Sequence, residues 1–286
     1  MTHPVKGIDH CFSLVADLDA AAGQFAALGF TLSPRGMHSE AKGSANYTIM
    51  FPDDYYELLG LLRPTPLNTA RYKTLEDQGE GLHAIACRID DARAAEVALG
   101  ELGIATQNLS DFERPVDLPD GSKGVAAFST LSFAPEEVPL GTMFMCQHRS
   151  RDTVWLPDLL DHPNTARGLA GIVARSDTPE ADAKAFARLW ADGAVQPTEG
   201  GAIVSTGSNS APLTLLSPDA FNQRYTGLDT NALPRGAFGV LQVNVGDEDT
   251  LLSVLDRANV PTTRTSRGVA VGPAHAAGTI VEFIPV

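Results

Sequence analysis

Four stretches of this chain read alike, and that self-resemblance constrains the fold more than any other feature. Each opens with a short apolar strand, passes into a capped amphipathic helix and continues as three further strands. They start near Gly7, Gly81, Gly168 and Ala237. Such a repeat is one supersecondary unit that buries its apolar face against its neighbours. The first two units carry a histidine in the opening strand, His10 in GIDHCFSLV and His83 in GLHAIACRI. The third and fourth carry Gly171 in GLAGIVARS and Gly239 in FGVLQVNV at the matching places. The pattern predicts an equipped first half and a stripped second half.

Local signals fill in each unit. Residues 8–15 read as a strand, Asp17 as a helix N-cap, and Gly29 as the left-handed stop that ends the helix. Strands are expected at 30–33, 45–51 and 55–62, the last two joined by a Pro-Asp-Asp turn. In the second unit the strand is 82–89, Asp90 or Asp91 caps a helix ending at Gly103, and strands follow at 105–109, 125–133 and 143–148. The third helix opens at Asp177-Thr178-Pro179, with proline where a missing amide proton costs nothing, and the fourth runs over 247–258. Residues 151–167, with two prolines, read as a linker or packed excursion between a domain at 1–150 and one at 168–286.

A chain of 286 residues is comfortable for two domains, and 43% apolar with 20% charged residues is ordinary globular composition. No apolar run is long enough to span a bilayer, and MTHPVKG lacks the apolar core of a signal peptide. Cys11, Cys87 and Cys146 are an odd number in no metal-cluster spacing, which predicts reduced thiols in the cytoplasm. A formal charge of −14 argues against nucleic acid or an anionic membrane as partner.

Strand alternation singles out the chemistry, since side chains two apart share a face. His10 shares its face with Ile8, Phe12 and Leu14; His83 shares its face with Ile85 and Cys87, so that thiol either lines the site or is a small buried hydrophobe. Glu57 lies in YYELLGLL, where a carboxylate is costly unless paired or bound to a cation. Arg63, Arg71 and Arg88 are available partners. Together His10, His83 and Glu57 make a two-histidine, one-carboxylate set suited to Fe(II), Mn, Ni or Zn. By symmetry with Glu57 a fourth ligand comes from PLGTMFMCQHRS, with Gln147 first, then His148, then Met145. Asn46 and Thr48 share a face with Met50, and His162 in DHPN either covers the cavity mouth or is loop punctuation.

The stretches GIDHCFSLVADLDAAAGQFAALGF, SANYTIMFPDDYYELLGLL, MFMCQH and DHPN resemble the glyoxalase-like group of the vicinal-oxygen-chelate superfamily. The resemblance covers residues 7–167 and is topological beyond. It implies an α+β fold of four βαβββ modules forming two half-open barrels. It also implies one divalent metal on His10, Glu57 and His83, and places Asn46 near a substrate oxygen. The fourth ligand of glyoxalase I is a glutamate, where this chain offers Gln147. The implied activity is isomerase or lyase chemistry on a small oxygen-chelating substrate, with Glu57 as base. An Fe(II) extradiol-type dioxygenase and a non-catalytic small-molecule binding protein are the competing readings, in a monomer or homodimer. Residues 168–286 offer only Glu282 at a ligand position, which reads as a solvent-facing charge near the C-terminus.

Overall fold

Asp17, Asp91 and Asp247 each convert the end of a strand into a helix by accepting amide protons of the first turn, at 3.0 Å from Ala20, 2.8 Å from Ala94 and 2.6 Å from Thr250. The computed structural model describes residues 2–118 and 121–286. In the first unit β1 (Ile8–Val15), α1 (Leu18–Ala27), β2 (Gly36–Met37), β3 (Ser44–Met50) and β4 (Tyr55–Leu61) follow in order, and α2 (Thr69–Gln78) leads out of it. The second unit is β5 (Gly81–Arg88), α3 (Ala92–Glu101), β6 (Thr106–Asp117), β7 (Lys123–Phe133) and β8 (Thr142–His148). The third is β9 (Ala166–Arg175), α4 (Pro179–Ala187), β10 (Ala194–Thr198), β11 (Gly201–Ser205) and β12 (Leu213–Leu216), followed by α5 (Pro218–Arg224). The fourth is β13 (Val240–Val245), α6 (Glu248–Arg257), β14 (Thr263–Arg264), β15 (Val269–Val271) and β16 (Ile280–Pro285).

Two eight-stranded sheets result, ordered β2-β3-β4-β1-β5-β8-β7-β6 and β10-β11-β12-β9-β13-β16-β15-β14. Each is a pair of units joined antiparallel through their first strands, β1 with β5 and β9 with β13. The α+β arrangement of four βαβββ units is therefore as expected. The expected strand at 30–33 is not formed. Ser33 still leans on β3, bonding the Thr48 carbonyl at 2.8 Å, and the strand itself comes later at Gly36–Met37. Among the described residues no helix is long and apolar enough to cross a membrane.

The helix-bearing faces of both sheets meet in one core. Phe30 stacks on Phe283 with ring centroids 5.8 Å apart, and the Phe238 amide donates to the Leu82 carbonyl at 3.1 Å. Ser13 Oγ and Thr279 Oγ1 join across this seam at 2.9 Å. Residues 151–167 pack down as well: Asn164 Nδ2 donates to the Leu28 carbonyl at 2.9 Å, and Asn164 is fully buried.

Asp54 closes the same seam from the β3–β4 turn, accepting the Leu169 amide at 3.1 Å. Burial pushes its carboxyl up to about 7, against the pull of Leu169 and Arg88. The unfolded carboxyl ionises near 4, so the folded protein holds the extra proton between these values. Stability from this group is full below about pH 4 and is lost as pH rises to about 7, by at most about 4 kcal/mol. Asp54→Asn keeps an oxygen for Leu169. It is expected to unfold at higher urea than wild type at pH 8 and to lose that advantage at pH 4.

Candidate active site

Two bulges decide what faces the cavity of the first sheet. Along β1 and β5, Ile8 pairs with Cys87 and then His10 with Ala86, which leaves Asp9 as an extra residue. Farther on, Phe12 pairs with Ala84 and Ser13 with Leu82, which leaves His83 extra. An extra residue breaks alternation. Ile8, Ile85 and Cys87 consequently turn into the shared core, while His10, Phe12, Leu14 and His83 line a cavity of about 520 Å³.

His10 is held from behind. Its Nδ1 lies 2.7 Å from Asp9 Oδ1, and the same oxygen receives His148 Nε2 at 2.9 Å. Burial pushes the Asp9 carboxyl up, but the hydrogen bonds from His10 and His148 outweigh it and hold it well below the carboxylate range. An ionised Asp9 only accepts, so His10 Nδ1 donates to it and Nε2 is left toward the cavity. That Nε2 faces Glu57 Oε2 at 3.7 Å. The imidazole stacks on Tyr55 at 4.2 Å and meets the edge of Phe144 at 5.6 Å, so its plane is fixed.

Glu57 is fixed in turn. Asn46 Nδ2 donates to Oε1 at 2.8 Å, which leaves Oε2 for His10 and the cavity. Thr48 is the cross-strand partner of Glu57 and lines the cavity beside it. Asn46 Oδ1 is buried without a partner.

Other candidates are placed elsewhere. His83 lines the cavity, but its Nε2 is bound to the Gly79 carbonyl at 2.8 Å, and burial depresses its basicity. Gln147 is on the opposite face of β8, where its Oε1 accepts the Ala92 amide at 3.0 Å and caps α3. Met145 is core, and His148 belongs to Asp9. The registers show why symmetry with Glu57 misleads. Glu57 pairs with Phe12 and Phe144 with Ala86, and Phe12 and Ala86 are related by the exchange of the two units, so Phe144 is the counterpart of Glu57. Cys87 is buried in the core rather than at the cavity. His162 is a staple: Nδ1 accepts the Thr31 amide at 3.0 Å and Nε2 donates to the Met50 carbonyl at 2.9 Å.

The cavity also holds His38, Lys42 and Arg114, which the strand reading passed over, and Arg71, which it offered as a partner for Glu57. They come from the β2–β3 connection, from α2 across the mouth, and from β6. Burial lowers the His38 imidazole to about 4, so it is neutral at pH 7. A sequence signal existed for Arg71, offered above as a partner for Glu57, and for Arg114, which falls on the same side of β6 as Phe112.

Paired βαβββ units curved around a His–Glu pair define a vicinal-oxygen-chelate protein. The family model for the glyoxalase-like domain matches residues 8–190, and the chain belongs to that family. No curated protein sequence matches it. Among solved structures it is similar to a hypothetical protein from Staphylococcus aureus, 12% identical over 98% of this chain and 99% of that one, with TM-score 0.70. A 4-hydroxymandelate synthase variant from Streptomyces coelicolor is 15% identical over 99% and 93%, with TM-score 0.56. Homoprotocatechuate 2,3-dioxygenase from Arthrobacter globiformis is 13% identical over 100% and 81%, also at 0.56. At these identities the likeness is one of fold.

Members of this superfamily usually hold a divalent metal, and Asp9, His10 and His148 bring three ligand atoms within 4.8 Å of one another. Neither Asp9 nor His148 lines the cavity. On the cavity side, His10 Nε2 and Glu57 Oε2 at 3.7 Å are close enough to share one ion at ordinary bond lengths of about 2.0–2.2 Å. Asp9 on Nδ1 is the outer partner that a metal-bound histidine requires. The pair fits a metal; the four-ligand set does not assemble, because Phe144 fills the fourth place.

Proposed function

We propose that the first sheet's cavity is the active site of a metal-dependent glyoxalase-like enzyme. It abstracts a proton from carbon next to a carbonyl in a small oxygen-rich substrate. The observation that carries this reading is the His10–Glu57 pair, open to the cavity on one side and fixed by Asp9 and Asn46 on the other. His10 Nε2 and Glu57 Oε2 would hold a divalent ion, which would supply Lewis acidity toward the developing oxyanion. Glu57 serves as the base when Oε2, the oxygen not bonded to Asn46, leaves the ion and accepts the carbon-bound proton. Apolar walls from Phe12, Phe128 and Phe144 exclude water around it.

The test is solvent deuterium exchange at carbons next to the carbonyl, followed by NMR over a panel of small 2-oxo and 2-hydroxy carbonyl compounds. Glu57→Gln is expected to fold and to lose about 10²–10⁴-fold in exchange rate, the usual worth of a general base. Unchanged exchange in Glu57→Gln would remove Glu57 as the base.

A further inference from the structure

The chain has 35 acidic and 21 basic residues. Many basic groups pair with a carboxylate, as Arg35, Arg63, Arg93 and Arg149 do on Asp19, Glu40, Asp111 and Glu113, and others such as Arg88, Arg151 and Arg267 bond to carbonyl or amide oxygens instead. Lys42, Arg71 and Arg114 do neither. Among the described residues their cationic heads make neither an ion pair nor a side-chain hydrogen bond, although all three line the one cavity. Among the described residues the single carboxylate lining that cavity is Glu57, and its attraction reaches all three. Three cations against one carboxylate leave two positive charges in surplus.

The Lys42 side chain and the backbone leading to Arg71 are held in place. Lys42 Nζ sits 3.1 Å over the Phe112 ring, which itself stacks on Phe128 at 5.0 Å. Asn68, 1% exposed, locks the Lys42 segment to the start of α2, where Arg71 projects. Its Nδ2 donates to the Lys42 and Arg63 carbonyls at 3.0 and 2.9 Å, and its Oδ1 accepts the Thr65 amide at 2.8 Å. Gly43 makes this close approach possible: its φ is +56°, and a Cβ there would lie 2.8 Å from the Arg63 carbonyl. Burial, and after it the nearby Arg71, push the Lys42 ammonium down to about 8 against the pull of Glu57.

We propose that Lys42, Arg71 and Arg114 form an anion subsite that binds a doubly charged end of the substrate, a phosphate or phosphonate or a pair of carboxylates. The subsite lies in the cavity assigned above to catalysis, and the inference rests on that reading only for the word substrate. Aromatic walls beside the cations favour an anion carried on a flat or apolar body.

Calorimetric titration with phenylphosphonate and with neutral benzyl alcohol tests this, in buffer containing a chelator so that no bound ion contributes affinity. Phenylphosphonate is expected to bind at least about tenfold more tightly than benzyl alcohol. Arg71→Gln and Arg114→Gln should each weaken it about tenfold, the worth of one charge-assisted contact. Thermal unfolding of both variants checks that they fold. Glu57→Gln should retain or tighten phenylphosphonate binding, so a failed catalytic reading leaves this result standing. Equal affinity for the two probes, no binding of the anion at millimolar concentration, or undiminished binding in both folded arginine variants overturns the proposal.

Discussion

His10→Ala is expected to lower divalent-ion content from about one per chain to less than about a tenth and to abolish exchange, while His83→Ala changes either by less than about threefold. Elemental analysis of the purified variants, beside the exchange assay, checks both. The contrast follows from what each ring does. His10 offers Nε2 to Glu57 across 3.7 Å and has its other nitrogen oriented by Asp9. His83 has committed Nε2 to the Gly79 carbonyl at 2.8 Å, and a ligand role requires breaking that bond. Asp9→Asn should show an intermediate result, a loss of about 10–100-fold in metal affinity, because it removes the carboxylate that fixes the His10 tautomer. Loss of metal in His83→Ala would show that the ring swings off Gly79 when the ion binds, and would return it to the ligand set.

The repeat, the caps and the His10–Glu57 pairing were legible in the sequence because each is written in short-range or periodic signals. Asp17, Asp91 and Asp247 cap where their spacing to the helix says they should. What alternation misjudged has a single physical origin. One extra residue at Asp9 and one at His83 shift the faces of β1 and β5, so Ile8, Ile85 and Cys87 go to the core and Asp9 joins two histidines. A bulge of this kind adds one residue without changing composition, and a period of two has no way to announce it. Gln147 was misplaced for a related reason, since only the β5–β8 register shows that Phe144 matches Glu57. Arg71 and Lys42 reach the cavity through Asn68, a contact made by tertiary packing and absent from any local pattern.

Glu282→Ala is expected to destabilise the protein by about 3–5 kcal/mol in urea denaturation at pH 7, a large part of the total stability of an ordinary domain. Glu282→Gln should cost only about 1–2 kcal/mol, since an amide keeps the oxygen that accepts most of the bonds. The residue is the opposite of the solvent-facing charge its position near the C-terminus suggests: it is fully buried. Oε2 accepts Gln242 Nε2 at 2.6 Å and the Tyr225 hydroxyl at 3.1 Å, with Arg224 at 3.5 Å, while Oε1 accepts Thr265 Oγ1 at 2.6 Å. Alanine would leave Arg224 without its counter-charge and three donors without an acceptor. A surface carboxylate would cost no more than about 0.5 kcal/mol, and that result would overturn the network. The register explains why this charge survives in the stripped half. Glu282 pairs with Gln242, which pairs with Gly171, so Gln242 reaches into the space that His10 fills in the first sheet. A Cβ on Gly171 would lie 2.2 Å from Gln242 Oε1, which makes glycine the residue this position accepts. Phe221 of α5 and Tyr225 then pack on Val173, Val240 and Ile280, on the face that is open in the first sheet. The second sheet has exchanged a histidine and a cavity for a glutamine, a plug and a satisfied buried carboxylate, so its loss should appear in stability and leave metal content unchanged.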